Sequence, residues 1–144
     1  MPARIVIFDL DGTIANCSHR SHLARVGQWH AFNIACMDDE ANEAVARLAR
    51  YLSQFFLIWV VTGRPIELKE RTRQWLRERH ITPDNLLMRP AGNTQEGWAL
   101  KKAWLADGTI PVQDVLCVFE DRDADVAMWR EAGLTCLQVA PGAF

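Results

Sequence analysis

The sequence has no excess of either charge. Sixteen lysines and arginines stand against 18 aspartates and glutamates, a net charge of −2. Such balance argues against a strong general affinity for nucleic acid and leaves room only for a local basic patch. Long apolar runs are lacking too. The longest, Phe55 to Val61, falls far short of the roughly 20 residues that span a bilayer. The chain runs from Met1 straight into a strand-like segment ending at Phe8, with no signal-peptide pattern, so a soluble, cytoplasmic protein without membrane contact is expected. Cys17, Cys36, Cys117 and Cys136 include no close pair, which excludes half of a zinc site and makes a disulfide framework unnecessary. Cys117 and Cys136 lie in apolar runs and read as buried reduced thiols. No internal repeat, low-complexity segment or Gly-x-x-x-x-Gly-Lys-Ser/Thr loop occurs. Nothing calls for an obligate protein partner.

What is present is an ordinary globular composition, 49% hydrophobic over 144 residues, enough for one domain spanning 1–144. Ile5 to Phe8 is a short unbroken apolar run, the mark of a strand covered on both faces. Phe55 to Val61 repeats it strongly, and Leu86 to Met88, Val115 to Phe119 and Leu134 to Val139 repeat it weakly. Helical patterns lie between them, at 38–51, from Pro65 as a first-turn proline to about His80, at 95–106 and at 124–132 with Gly133 as the stop. Strands alternating with helices predict an α/β fold with a mainly parallel sheet of about five strands between helical layers. Residues 14–39 fit no strand and are expected to form two short helices inserted over the active-site edge.

In such sheets chemistry lies beyond the carboxyl ends of the strands. Asp9 and Asp11 follow the first strand, Thr62-Gly63-Arg64 the second and Glu120-Asp121 the fourth. Two carboxylates one residue apart are costly unless a cation neutralises them, and oxygen ligands of this kind suit magnesium. Gly12 allows a sharp turn with free amides near an anion. The bland alternative is a solvated acidic turn; a calcium loop lacks its further acidic ligands. Thr62 and the amides after it suit a phosphoryl oxygen, although an N-cap threonine would look the same. Asp123 and Asp125 behind Glu120-Asp121 read as helix-start acids, yet so many at one edge repel without a metal. Lys101 or Lys102 offers positive charge for a phosphoryl transition state, with solvated surface as the alternative.

The joint order of acid pair, threonine, lysine and acid pair resembles the haloacid dehalogenase superfamily over nearly the whole chain, which refines the expected fold to that superfamily's Rossmann-like three-layer form with a small helical cap. The resemblance implies that Asp9 attacks phosphorus, that Asp11 is the acid and then the base, and that Mg²⁺ is held by Asp9, the Asp11 backbone carbonyl and Asp121. It gives Thr62, Gly63 and Lys101 to the phosphoryl group, Lys101 because Leu100-Lys101 with Leu105 fits the family register better than Lys102. Glu120 and Asp125 become supporting acids. A nearer likeness, to the phosphatase domain of phage polynucleotide kinase, rests on Asp121-Arg122, Met128-Trp129-Arg130, Gln138-Val139-Ala140, Gly142 to Phe144, and Thr72-Arg73 with Trp75. Two departures are Glu120, where that relative has Asp, and the lack of aspartates in Gly92 to Glu96.

The expected activity is therefore a magnesium-dependent phosphomonoesterase with an aspartyl-phosphate intermediate. A dehalogenase has no use for Asp11, a phosphomutase needs a larger cap to exclude water, and a non-catalytic module would have lost the acids. The expected partner is a phosphorylated substrate, either a nucleic-acid 3′ end or a free nucleotide. Ser18, His19, Arg20, Arg64, Arg89 and Arg122 are candidate contacts beyond the phosphate, with helix-surface histidines the plainer reading for His19 and His22. Lys69, Arg73 and Arg77 recur every four residues and share a helix face. They suggest a backbone track, or a solvated face balanced by Glu70 and Glu78.

Overall fold

The computed structural model describes residues 2–144. Its main sheet comprises β1 (Ile5–Phe8), β4 (Leu57–Pro65), β5 (Asn85–Arg89), β6 (Val115–Glu120) and β7 (Cys136–Gln138), ordered β5-β4-β1-β6-β7. Every pairing in it is parallel. The alternation of side chains along buried strands explains the three layers. Val6 and Phe8 of β1, with Ile58 and Val60 of β4, pack against α3 (Glu43–Leu52) and α4 (Lys69–Glu78) through Val45, Ala46, Ala49, Trp75 and Leu76. Ile5 and Ile7, with Val61 and Val118, face α5 (Gly97–Ala106) and α6 (Asp123–Glu131) through Leu100, Trp104, Val126, Met128 and Trp129. Being central, β1 is covered on both sides, which is why it reads as an unbroken apolar run.

Several boundaries differ from the sequence expectation. Phe55 is 77% exposed and precedes the strand. Pro65 closes β4 rather than opening a helix: a register shift lets it pair with Arg89, and a proline without an N–H is tolerated at a strand end. The chain then passes through a 3₁₀ turn, Ile66–Leu68, before α4. Thr62-Gly63-Arg64 therefore lies within β4 and caps no helix. The segment expected to hold no strand carries β2 (Ala15–Asn16), which pairs antiparallel with β3 (Glu40–Ala41). Between these lie α1 (Ser21–Arg25), α2 (Trp29–Ile34) and two 3₁₀ turns. All four cysteines are free; Cys36 and Cys136 are buried, Cys17 and Cys117 half-buried. No helix of the described residues is long and apolar enough to cross a membrane.

Candidate active site

The alternation along β1 carries Asp9 onto the side of Ile5 and Ile7, toward α5 and α6. There Lys101 Nζ donates to Asp9 Oδ1 at 3.0 Å, Glu120 Oε2 at 2.9 Å and Asp125 Oδ2 at 2.7 Å. Lys101 is 2% exposed, whereas Lys102, one residue on, faces solvent. Burial alone would lower the Lys101 pKa, but the charges of Asp9, Glu120 and Asp125 overcome this and hold it well above the usual lysine range. The lysine is thus a permanently charged post at the end of the central strand. Glu120 is fixed further by Trp129 Nε1, which donates to Oε2 at 3.2 Å, and by the Asp121 amide, which donates to Oε1.

Three buried carboxylates (Asp9, Glu120 and Asp125) pair with this one ammonium, and a fourth, Asp121, lies beside Asp9 and Glu120. Burial and the charge of Asp9 push Asp121 up to about 7, and the same two causes raise Glu120 well above the carboxylate range. Asp9, Glu120 and Asp121 each bring an oxygen within 4.8 Å of the others. This concentration of hard oxygen donors with uncompensated negative charge is the environment a divalent cation stabilises, so the donor set fits magnesium. Glu120's oxygens already accept from Lys101, Trp129 and the Asp121 amide. Asp9 Oδ2 and Asp121 Oδ1 share only the Thr13 hydroxyl, at 3.2 and 3.1 Å, and are the freer donors.

Gly12 closes the turn between these acids. Its φ is +87°, and a Cβ there would run into the Asp121 carboxylate. Gly12→Ala should therefore displace Asp121 at unchanged fold. A rise of roughly tenfold or more in the magnesium concentration for half-maximal activity is expected, the scale on which disturbed ligand orientation acts. An unaltered metal titration would show that the turn has no such role.

Asp11 lies in a separate cluster. Arg20 Nη2 and Arg64 Nη2 donate to its Oδ1 at 2.6 and 2.7 Å, and Arg64 Nε bridges both oxygens at 3.1 Å. Burial pulls its pKa up, but the two guanidiniums, Arg64 above all, hold the carboxyl below its ordinary value. Its side chain still keeps 24% of its surface open, so it remains accessible from solvent. Asp39 anchors both arginines. It is 1% exposed and accepts from Arg20 Nε and Nη2, from Arg64 Nη2 and from the His19 ring. Its carbonyl takes Trp75 Nε1 and Arg79 Nη2, while Thr72 Oγ1 receives Arg64 Nη1. Asp39 was missing from the sequence-derived set; its only signal was the acidic run Asp38-Asp39-Glu40 at the end of the insertion.

The remaining candidates divide. Thr62 is buried at the end of the core part of β4 with its Oγ1 accepting from the Arg64 amide at 3.1 Å. Gly63 lies against Arg89, whose Nε donates to its carbonyl. Arg122 is drawn away: it donates to the Phe144 carbonyl and lies 3.8 Å from Glu96, with no contact to Asp9 or Asp11 among the described residues. Of the two candidate histidines, His19 meets Asp39, while His22 makes no side-chain hydrogen bond or ion pair among the described residues.

Residues 3–144 match the family model of the polynucleotide kinase PNKP phosphatase domain. The chain is 30% identical over 131 residues to a protein described as a bifunctional polynucleotide kinase/RNA ligase of Autographa californica nuclear polyhedrosis virus, covering 89% of this chain and 18% of that protein. It superposes with a TM-score of 0.85 and 28% identity on a chain of the Pnkp1/Rnl/Hen1 RNA repair complex, covering 99% of this chain and 44% of that one. A haloacid dehalogenase-like hydrolase, SP0104 of Streptococcus pneumoniae, shares the fold at a TM-score of 0.68 and 13% identity, over 94% and 84% of the two chains. The chain thus spans less than half the length of the viral relative and of the repair-complex chain. With its three-layer sheet and its acids gathered around Lys101, this chain belongs to the phosphatase-domain family of the polynucleotide kinases, a branch of the haloacid dehalogenase phosphatases.

Proposed function

We propose that the protein is a magnesium-dependent phosphatase for the 3′-phosphorylated ends of polynucleotides, working in the cytoplasm through a phosphoryl-Asp9 intermediate. The observation that carries this reading is Asp9 itself: a carboxylate at the end of the central strand, with Lys101 on one oxygen and the Asp121 side reached through Thr13 on the other. Asp9 forms a bond to phosphorus as the bond to the leaving oxygen breaks, and Asp11 delivers the proton that oxygen needs. Asp11, now a carboxylate, then takes a proton from water as the water attacks phosphorus, and Asp9 departs as a carboxylate with inorganic phosphate. Lys101 offsets the charge on the transferring group, and Thr62 and the Gly63 amide are suited to its peripheral oxygens. Asp9, Asp121 and the Asp11 carbonyl would hold Mg²⁺, which when bound neutralises the phosphoryl oxygens and draws the nucleophile and substrate together. In the free protein Arg64 and Arg20 keep Asp11 ionised, so the acid step requires both guanidiniums to turn toward the substrate's own anion and Asp11 to take up a proton from solvent before it delivers one.

Asp11→Asn should reduce kcat/KM, which reports the first displacement, by roughly 10²- to 10⁴-fold for an alkyl phosphate, the range for one acid/base group. The deficit should be much smaller for a nitrophenyl ester, whose leaving group needs little protonation. Equal deficits for the two esters would take Asp11 out of the acid role.

Metal and proton compete for Asp121. In the metal-free protein its raised pKa means that ionisation, complete only above about 7, destabilises the fold as pH rises from the ordinary aspartate range through 7. Magnesium relieves that repulsion, so the rise in Tm on adding Mg²⁺ should be larger at pH 8 than at pH 5. A magnesium effect independent of pH would contradict the assignment. The substrate is tested by a screen of nucleotides and of 3′- and 5′-phosphorylated oligonucleotides with magnesium present. The highest kcat/KM should fall on a 3′-phosphorylated strand, and a preference for free nucleotides would replace the polynucleotide reading.

A further inference from the structure

The site accounts for the buried face of α4 but not for its outer one. Lys69, Arg73 and Arg77 form one wall of a groove of about 360 Å³ whose other wall is Ile81 and residues 82–86, the approach to β5. Since β5 is an edge of the sheet, the groove is open along the flank of the molecule. Of the three cations only Arg73 has an ion-pair partner among the described residues, Glu70 at 2.9 Å. Glu78 is engaged by Gln74 at 3.0 Å and lies near Arg79. Asp84, the acid in the groove lining, gives one oxygen to the Ile58 amide. The balance by Glu70 and Glu78 therefore does not extend to Lys69 and Arg77.

The same helix reaches the catalytic centre from its other side. Thr72, buried on α4, binds Arg64, and Arg64 binds Asp11. The stripe begins at Lys69, directly after the turn that leaves β4, and its members are spaced by about 6 Å along the helix axis. That interval is of the order of the phosphate spacing in an extended single strand, and a basic groove tracking a backbone is how such strands are held without regard to sequence.

We propose that this groove is a track for the phosphodiester backbone of a single strand whose 3′-phosphate lies at Asp9, so that Lys69, Arg73 and Arg77 favour polynucleotide ends over mononucleotides. The inference rests on the polynucleotide reading above and adds to it where the strand runs. Each neutralised phosphate of a single strand steepens the logarithmic salt dependence by about 0.7, so three contacts contribute a slope near −2.

The test compares a 3′-phosphorylated single strand of about twelve nucleotides with the matching nucleoside 3′-monophosphate. Between 50 and 200 mM salt, kcat/KM for the strand should fall about 20-fold further than for the mononucleotide. The triple variant Lys69→Gln/Arg73→Gln/Arg77→Gln should remove that difference while leaving mononucleotide turnover intact, which also reports that it folds. Should the triple variant lose both activities, Arg77→Gln alone, at an exposed position, should reduce the difference in slope by about 0.7. Parallel salt curves for the two substrates, or an unchanged difference in the variants, would overturn the track and leave the substrate reading standing. No turnover of the strand at any salt, beside good turnover of the mononucleotide, would remove both.

Discussion

Asp9→Asn should leave a folded protein with no measurable phosphomonoesterase activity, a loss of roughly 10⁴-fold or more, as expected when a nucleophile is removed. An amide is nearly the shape of the carboxylate, but its oxygen is a poor nucleophile toward phosphorus and its nitrogen none. The fold should not suffer. Asp9 is one of three buried acids paired with Lys101 and the one whose charge raises both Asp121 and Glu120, so removing its charge relieves repulsion. Thermal unfolding of the variant in chelator should therefore come at or above the wild-type Tm, and phosphate release from a chromogenic ester should be at background. Near-normal turnover by a homogeneous variant would take Asp9 out of the nucleophile role.

The second large effect concerns Lys101. Lys101→Met keeps much of the side chain's volume but strips the counter-charge from Asp9, Glu120 and Asp125 at once. Breaking a buried ion pair by removing one partner costs about 3–5 kcal/mol because the remaining charge is left uncompensated. For a chain of this length that is a fall in Tm on the order of 10 °C, with activity lost as well. Lys102→Met, one residue away and exposed, should change stability by no more than about 0.5 kcal/mol. Part of the Lys101→Met deficit should return below neutral pH, where the abandoned carboxylates protonate. Equal effects at the two lysines would contradict the central place of Lys101.

The acidic half of the candidate site was legible because each member follows an apolar run. Asp9-Leu10-Asp11-Gly12-Thr13 and Glu120-Asp121 sit at strand ends and Thr62-Gly63-Arg64 in the last residues of β4, and parallel strands bring their carboxyl ends together. The choice of Lys101 over Lys102 rested on the fit of Leu100-Lys101 with Leu105 to the family register; Leu100 is buried in the core beside it and Leu105 packs partly against that core. The arginine cluster was half legible. Arg20 and Arg64 stood out as charges near the right edge, but their joint attachment to Asp39 joins residues 20, 39 and 64, and no local periodicity signals that. The β2–β3 ladder is two residues long on each side, too short to carry an alternation. Pro65 was misplaced because a proline after a strand reads equally as its last residue or as the first of a helix, and only pairing with Arg89 decides. Arg122 was one of the candidate contacts beyond the phosphate; its side chain donates to the carbonyl of Phe144.

That Asp9 becomes covalently phosphorylated is tested most directly by pre-steady-state kinetics of Asp11→Asn on nitrophenyl phosphate with magnesium. The good leaving group lets the first displacement proceed without an acid, while the second lacks its base, so the phosphoryl-enzyme accumulates. The account predicts a burst of nitrophenol approaching one equivalent per active site, with phosphate lagging behind. Acid-quenched protein from the same interval should carry a hydroxylamine-labile phosphate on the peptide containing Asp9. Nitrophenol and phosphate released in step from the first turnover, with no phosphate on the protein, would contradict it.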